Sequence, residues 1–356
     1  EIRLPEGVRE VIGKRLNHLS HECNEILMTA AVLGPEFRFR ALILTLGSES
    51  EDIVMSSLDE AERARFIEPV LGSAGVYQFT HALVRQTLKN ELSLSRGVKL
   101  HARVTQALEE LYGENAAAHA EELAEHAEQA ETVLGPDRLV RYSLLAGERA
   151  ADKHAYEDAL RHFECGLVAL EDSPLEGRKA ALLYGKGVAQ KNMLMYEEAR
   201  KSFNLAMDYY EKTGDVKHVT SIAVAPLRWH SDLSLSERAL KVIPADSQEM
   251  GEVLSYYGRR LLMRGQNQEF ATEQFENALR IAALHRSNNL KAQVHSLWAY
   301  AAWYQLRTDA CLDHSLQAIE LYRGSPDPTP EHTAYETLIE VLRTEGKMAE
   351  AHQQLK

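Results

Sequence analysis

Cysteine is scarce in this 356-residue chain, which has three, Cys23, Cys165 and Cys311, far apart and odd in number. That pattern suits a reducing cytoplasm and neither a disulfide framework nor a zinc knuckle. Long apolar runs are also lacking. No segment approaches the roughly 18 uninterrupted apolar residues of a membrane span, and no charged-then-apolar leader opens the chain. There is no basic excess either: the formal net charge is −13. Residues 1–112 hold 13 Lys and Arg against 16 Asp and Glu, and the remainder holds 27 against 37. Neither portion has the electrostatic footprint of a DNA-binding domain, and the acidity points to a partner that is basic or mainly apolar. Chemical motifs are missing as well. No G-x-x-x-x-G-K-[ST] loop, no G-x-S-x-G, no Cys/His pair at motif spacing and no paired catalytic carboxylates occur, so this stretch is expected not to be an enzyme.

What is present is helix. A hydrophobic content of 45% allows two or more cores. The first residue is Glu1 rather than Met, and Lys356 falls within a helical pattern, so a piece of a longer protein is expected. Residues 4–33 read as two helices, one with the stripe Val8, Ile12, Leu16, Leu19 and the next with Ile26, Leu27, Ala30, Val32. Gly34-Pro35 breaks the chain. A short helix follows on Phe39, Leu42, Ile43 and Leu46, ended by Gly47. Ser48-Glu49-Ser50-Glu51 fits a capping box for a helix carrying Ile53, Val54, Leu58 and Ala61 inward. Phe66–Val70 and Val76–Phe79 read as a hairpin around a glycine-bearing turn. Three helices and then a hairpin is the winged-helix order. The helix in the recognition position exposes mainly acidic residues, which phosphates would repel, so a structural or interdomain role is expected instead of DNA binding.

After the hairpin, Thr80 is suited to cap a helix, with Phe79 and Val84 as a hydrophobic staple. That places His81 in the first turn, beside free amides. A helix N-terminus is an anion site whose positive end favours a neutral imidazole, so His81 could report on a phosphate. Arg85 lies one turn on, either as a second contact or as a solvated arginine. From about residue 113 helix follows helix. Gly147, Ala159, Phe163 and Gly166 recur 40 residues later as Gly187, Ala199, Phe203 and Ala206. This small–small–aromatic–small series matches the tetratricopeptide pattern, in which small residues let paired helices approach and an aromatic fills the gap. Weaker copies follow with Ala271, Phe275 and Ala278, with Ala299, Cys311 and Ala318, and from Tyr335 to Leu355; residues 216–250 are degenerate, though Ala239 and Pro244 have the right separation. The expected fold is therefore mainly α: a small winged-helix domain over 1–112, then an α-solenoid of tetratricopeptide-like helix pairs over 113–356.

Three stretches carry a resemblance: Leu4 to Ile12, Ala30 to Phe37, and Phe79-Thr80-His81-Ala82-Leu83-Val84-Arg85. In order and spacing they resemble the region after the ATPase core of signal-transduction ATPases with numerous domains, the STAND class. The nearest flavour is the large LuxR-type regulators of bacteria and the ATPase-coupled adenylate or guanylate cyclases, and Glu121 to Ala127 resembles the helix that follows in them. The resemblance implies a switch, in which an upstream AAA-like module holds ADP in a closed state and a winged helix packs against it. It further implies that His81 contacts the nucleotide phosphates, as the histidine of an M-H-D motif does. Thr80-His81-Ala82 matches that motif only at the histidine, with Ala82 in the aspartate position. ATP or ADP is thus expected in the full-length protein and no cofactor in this segment. The repeats would sense a protein or small-molecule inducer and steer transcription or cyclic-nucleotide synthesis. A free-standing repeat scaffold and a DNA-binding winged-helix regulator are the competing readings.

Two side-chain groups complete the sequence candidates. His119, Glu122 and His126 fall at i, i+3 and i+7, but a zinc enzyme needs tighter spacing such as H-E-x-x-H, so no metal site is expected. His18 and His21 read as surface residues. Trp298, Tyr300, Trp303 and Tyr304 cluster on one helix. If Ala299 marks the crossing of paired helices, Tyr300, Trp303 and Tyr304 turn toward the concave face as partner anchors, while Trp298 is packing.

Overall fold

The computed structural model describes residues 6–47, 50–174, 176–227, 233–322 and 329–347. The chain forms two compact units, residues 1–174 and 175–356. Both are dominated by helix, with one small sheet in the first.

The first unit begins with α1 (Glu6–Leu16) and α2 (His21–Leu33), then strand β1 (Glu36–Arg38), α3 (Phe39–Leu46) and α4 (Glu51–Arg63). Strands β2 (Ile67–Pro69) and β3 (Val76–Phe79) form the hairpin, and α5 (Ala82–Glu91) and α6 (Leu94–Tyr112) follow. A 3₁₀ turn over Gly113–His119 leads into α7 (Ala120–Gln129), α8 (Glu131–Leu134), α9 (Pro136–Asp152) and α10 (Tyr156–Val168). α2 is buried nearly all round, with Cys23, Ile26, Leu27, Ala30, Ala31 and Val32 all in the core, because α3, α4, α5 and α6 pack against it. Ser20 caps it, accepting from the Cys23 amide, and in turn donates its hydroxyl and its own amide to the Glu60 carboxylate at 2.7 Å each. Those two bonds hold the Glu60 carboxyl below its ordinary range. The core runs without a break from Ile12 to Ala146, so α6 and α7 share it with the helices before them.

Three details differ from the sequence reading. The hairpin is part of a three-stranded antiparallel sheet of order β1-β3-β2, with Phe37 opposite Tyr77 and Ile67 opposite Phe79. β1 escaped notice because three residues are too few to show alternation, although buried Phe37 packs 5.8 Å from the Phe79 ring. Thr80 is not a helix cap. Its hydroxyl donates to the carbonyls of Arg65 and Phe66, at 2.9 and 3.2 Å, so it ties β3 back to the end of α4, and the cap position passes to His81. The proposed capping box before α4 involves Ser48 and Glu49, which lie outside the described residues; Ser50 is the N-cap and its side chain makes no capping bond.

The second unit holds α11 (Gly177–Asn192), α12 (Tyr196–Thr213), α13 (Val216–Val224), α14 (Ser234–Val242), α15 (Gln248–Met263), α16 (Gln268–Leu284), α17 (Asn288–Tyr304), α18 (Thr308–Tyr322) and α19 (Thr329–Thr344). These are helix pairs with one shared register. Gly187 faces Phe203 so closely that a β-carbon would stand 2.7 Å from the ring, and the α9–α10 pair of the first unit repeats the device with Gly147 2.5 Å from Phe163. A β-carbon on Gly258 would meet the Ala271 carbonyl and the Phe275 ring, each at 3.1 Å. Seven residues beyond each of these glycines the first helix ends in the left-handed conformation, at His154, Leu194 and Gly265, and the same happens at Leu306 after Ala299. Each end makes the paired bonds of a Schellman cap, for example Ala155 N to Ala150 O and Met195 N to Gln190 O. First helices α13, α15, α17 and α19 pack in succession and form one layer. Part of the degenerate stretch, 228–232, and the repeat residues beyond 347 lie outside the described residues.

Candidate functional site

His81 sits at the N-cap of α5 with extended backbone, φ −144° and ψ 133°, and its exposed side chain makes no capping bond. It is one position earlier than the sequence suggested, because Thr80 is held by the preceding turn. Arg85 does not share its surroundings. The Arg85 Nε donates to Ala31 O at 2.9 Å, and burial pushes the guanidinium down from its ordinary range against the opposing influence of Glu125. It is a half-buried bridge from α5 to α2, not a solvated arginine.

Arg85 and Lys89 line a cleft of about 730 Å³ within the first unit, with Arg161 on α10 and the carboxylates Glu36, Glu122, Glu125 and Glu128. At its base His101 and His126 meet Nδ1 to Nδ1 at 2.9 Å. Such a contact needs one ring as donor and the other as acceptor, so the two rings are not both charged. Burial, then the neighbouring cations Lys89 and Arg85, pushes His101 down to about 4. His126, more deeply buried and beside His101, falls to about 3. The pair is built to stay uncharged.

The i, i+3, i+7 set does not converge. His119 stacks on Tyr112 at 3.6 Å between ring centroids, Glu122 accepts from the Tyr112 hydroxyl at 2.7 Å, and His126 turns away to His101. Among the described residues no group of three or more His, Cys, Asp or Glu side chains is placed to hold a metal ion. Sequence spacing could not show the His101–His126 pairing, because it joins two helices 25 residues apart with no periodic mark at either end.

In the second unit Trp298 is packing, as expected, stacked between Phe275 at 4.8 Å and His314 at 4.2 Å. Tyr300 is half-buried and lies 5.8 Å from Trp303. Trp303 packs partly against the small core of α17, α18 and α19, and Tyr304 is 40% exposed. The sequence reading missed two residues beside them. The Arg259 guanidinium lies over the rings of Tyr256, at 5.1 Å, and Tyr300, at 5.8 Å, joining α15 to α17. The signal was available: Arg259 follows Gly258 as Tyr300 follows Ala299, so the two occupy one register position in neighbouring repeats.

No family model matches the sequence, and no curated protein matches it. The structure is similar to the crystal structure of a signal-transduction ATPase with numerous domains that carries a tetratricopeptide repeat sensor, from Pyrococcus horikoshii. The identity is 13% and the TM-score 0.38, with 97% of this chain and 64% of that one covered. The chain thus spans somewhat less than two thirds of that protein's length.

Proposed function

We propose that this chain is the regulatory and sensor segment of a STAND-class ATPase. The repeats receive an inducer, and the helices and sheet around α2 to α5, read as a winged helix, relay its presence to an upstream nucleotide-binding core. The observation that carries the sensor half is the layer of first helices, whose shared register brings Tyr256, Arg259 and Tyr300 to one face of adjoining repeats. Solenoid layers of this kind spread contacts over several repeats. The relay half rests on the sequence resemblance and on exposed His81, which opens α5 with an uncommitted side chain. The mechanism is a population shift, in which inducer binding favours an open state and frees the core from ADP. On this reading the segment itself is not an enzyme, and the output module controls transcription or cyclic-nucleotide synthesis.

DNA binding through α4 is disfavoured by its surface, since Glu51, Asp52, Asp59 and Glu62 are all exposed. Membrane insertion has no support among the described helices, none of which is long and apolar enough to span a bilayer. The relay is tested in the full-length protein with His81→Ala. If the imidazole donates to a phosphate of bound ADP, its loss removes a charge-assisted hydrogen bond worth roughly 1.5–3 kcal/mol. ADP release should then be faster and output inducer-independent. An unchanged ADP off-rate and basal output would remove His81 from the switch.

A further inference from the structure

Arg259 is unlike the other buried or half-buried arginines among the described residues. Arg260, its neighbour, donates to Ala223 O, Ala225 O and Ser236 Oγ at 2.5–2.8 Å. Arg238 is forked onto Glu211 and reaches Asp208. Arg138 meets Glu109 at 3.0 Å. Arg259 has the same five N–H donors, yet its Nε is enclosed with no hydrogen-bond partner, and among the described residues no carboxylate pairs with it. The Tyr256 and Tyr300 rings lie against it at 5.1 and 5.8 Å. Ring faces stabilise the charge but give the enclosed Nε–H no acceptor. Burial accordingly pushes this group down from its ordinary range, opposed by the Tyr256 and Tyr300 phenols and by no carboxylate.

A desolvated cation without an anion is costly, and its retention between two rings describes half of a bidentate contact. The surroundings narrow the other half. Glu252, half-buried and hydrogen-bonded to Gln293, lies on the same helix near Tyr256, and Glu336 on α19 faces Tyr300. A dianion such as phosphate would be repelled by these carboxylates, whereas a single planar carboxylate matches the guanidinium edge and carries half the charge. The rest of the ligand must be neutral or basic. That agrees with the net charge of the chain while giving the one anionic group a place. The row of Tyr256, Arg259, Tyr300 and Trp303 runs across two helices, which suits an extended chain lying over the layer.

We infer that Arg259, clasped by Tyr256 and Tyr300, anchors the lone carboxylate of an otherwise neutral or basic peptide on the first-helix layer. This deepens the sensor reading and rests on it, by giving the inducer's chemistry.

The test uses the whole 356-residue chain, labelled with ¹⁵N, and follows the arginine Nε–H resonances. The probes are an N-acetylated alanine–lysine peptide with a free C-terminal carboxylate, the same peptide as its amide, the amide with one central glutamate, and inorganic phosphate. The Arg259 resonance, assigned by its absence in Arg259→Gln, should move saturably with the first or the third peptide. Which of the two moves it distinguishes a chain terminus from an acidic side chain. The amide should bind at least about tenfold more weakly, as expected for losing a charge-assisted bidentate contact. Arg259→Lys, which keeps the charge but not the fork, should bind more weakly than the native protein. The proposal is overturned if neither carboxylate peptide moves the Arg259 resonance at millimolar concentration, if the amide binds equally well, or if phosphate alone replaces them. The native-protein titration needs no folded variant beyond the assignment. It contains no nucleotide, so its failure leaves the relay through His81 standing, and failure of that relay leaves this site standing.

Discussion

The His101–His126 pair shows how burial decides the behaviour of one residue. Both rings titrate near 6.5 when the chain is unfolded, but in the fold they are held down to about 4 and 3. Between those values the unfolded chain binds more protons, so stability is full above pH 6.5 and is lost progressively as the pH falls through the folded values. His101→Gln should remove part of that dependence. We expect the native protein to lose on the order of 1–2 kcal/mol more than the variant between pH 7 and 4.5, measured by urea unfolding. Equal slopes for the two proteins would mean that His101 is not held neutral. Cysteine is set by burial in the same way: Cys23, donating to Ser57 O, is pushed up to about 12 and is an inert thiol. The sequence carried none of this, because pairing across helices leaves no local pattern. It did carry the fate of Trp298, where an aromatic beside the small crossing residue Ala299 reads as packing.

At the scale of the element, the paired helices depend on two kinds of position, one legible and one not. The small residues were legible because Gly147 and Gly187 recur at one spacing with Phe163 and Phe203. A β-carbon at Gly187 would stand 2.7 Å from the Phe203 ring, which cannot yield without separating α11 from α12. Gly187→Ala should therefore cost about 1–3 kcal/mol by overpacking, and Gly258→Ala, with 3.1 Å of room, distinctly less. Thermal melts of the two variants decide it, and equal losses would refute the packing account. The helix ends were not legible. Leu194 and Leu306 adopt φ of 61° and 59°, a conformation glycine favours, but leucine gives no hint of it. Both side chains are exposed, at 69% and 80%, so replacing them forfeits little packing. Leu194→Gly and Leu306→Gly should each raise stability by about 0.5–1 kcal/mol through relief of backbone strain. A lowered melting temperature in both would show that the leucines pack more than their exposure indicates.

For the whole molecule the question is whether its two proposed sites speak to each other. The segment alone should neither bind nor hydrolyse ATP appreciably. The phosphate-cradling loop is absent from the sequence, and one exposed histidine at a helix end supplies too few donors for affinity. Micromolar nucleotide binding by calorimetry on this chain would overturn that expectation. Where a core is attached upstream, coupling is reciprocal, so whatever factor the repeat ligand imposes on ADP affinity, ADP must impose on the ligand. Moving a switch from mostly closed to mostly open needs a differential of roughly 5 kcal/mol between the two states, so the effect should be large. With the carboxylate peptide as probe, affinity for the full-length protein should be lower with ADP bound than without. His81→Ala should shrink that difference, and Tyr304→Ala, a milder change than removing core-packed Trp303, should weaken the peptide in both states alike. If the peptide binds at Arg259 with the same affinity whatever the nucleotide, the repeats recognise a ligand without steering the core, and the scaffold reading takes the place of the switch.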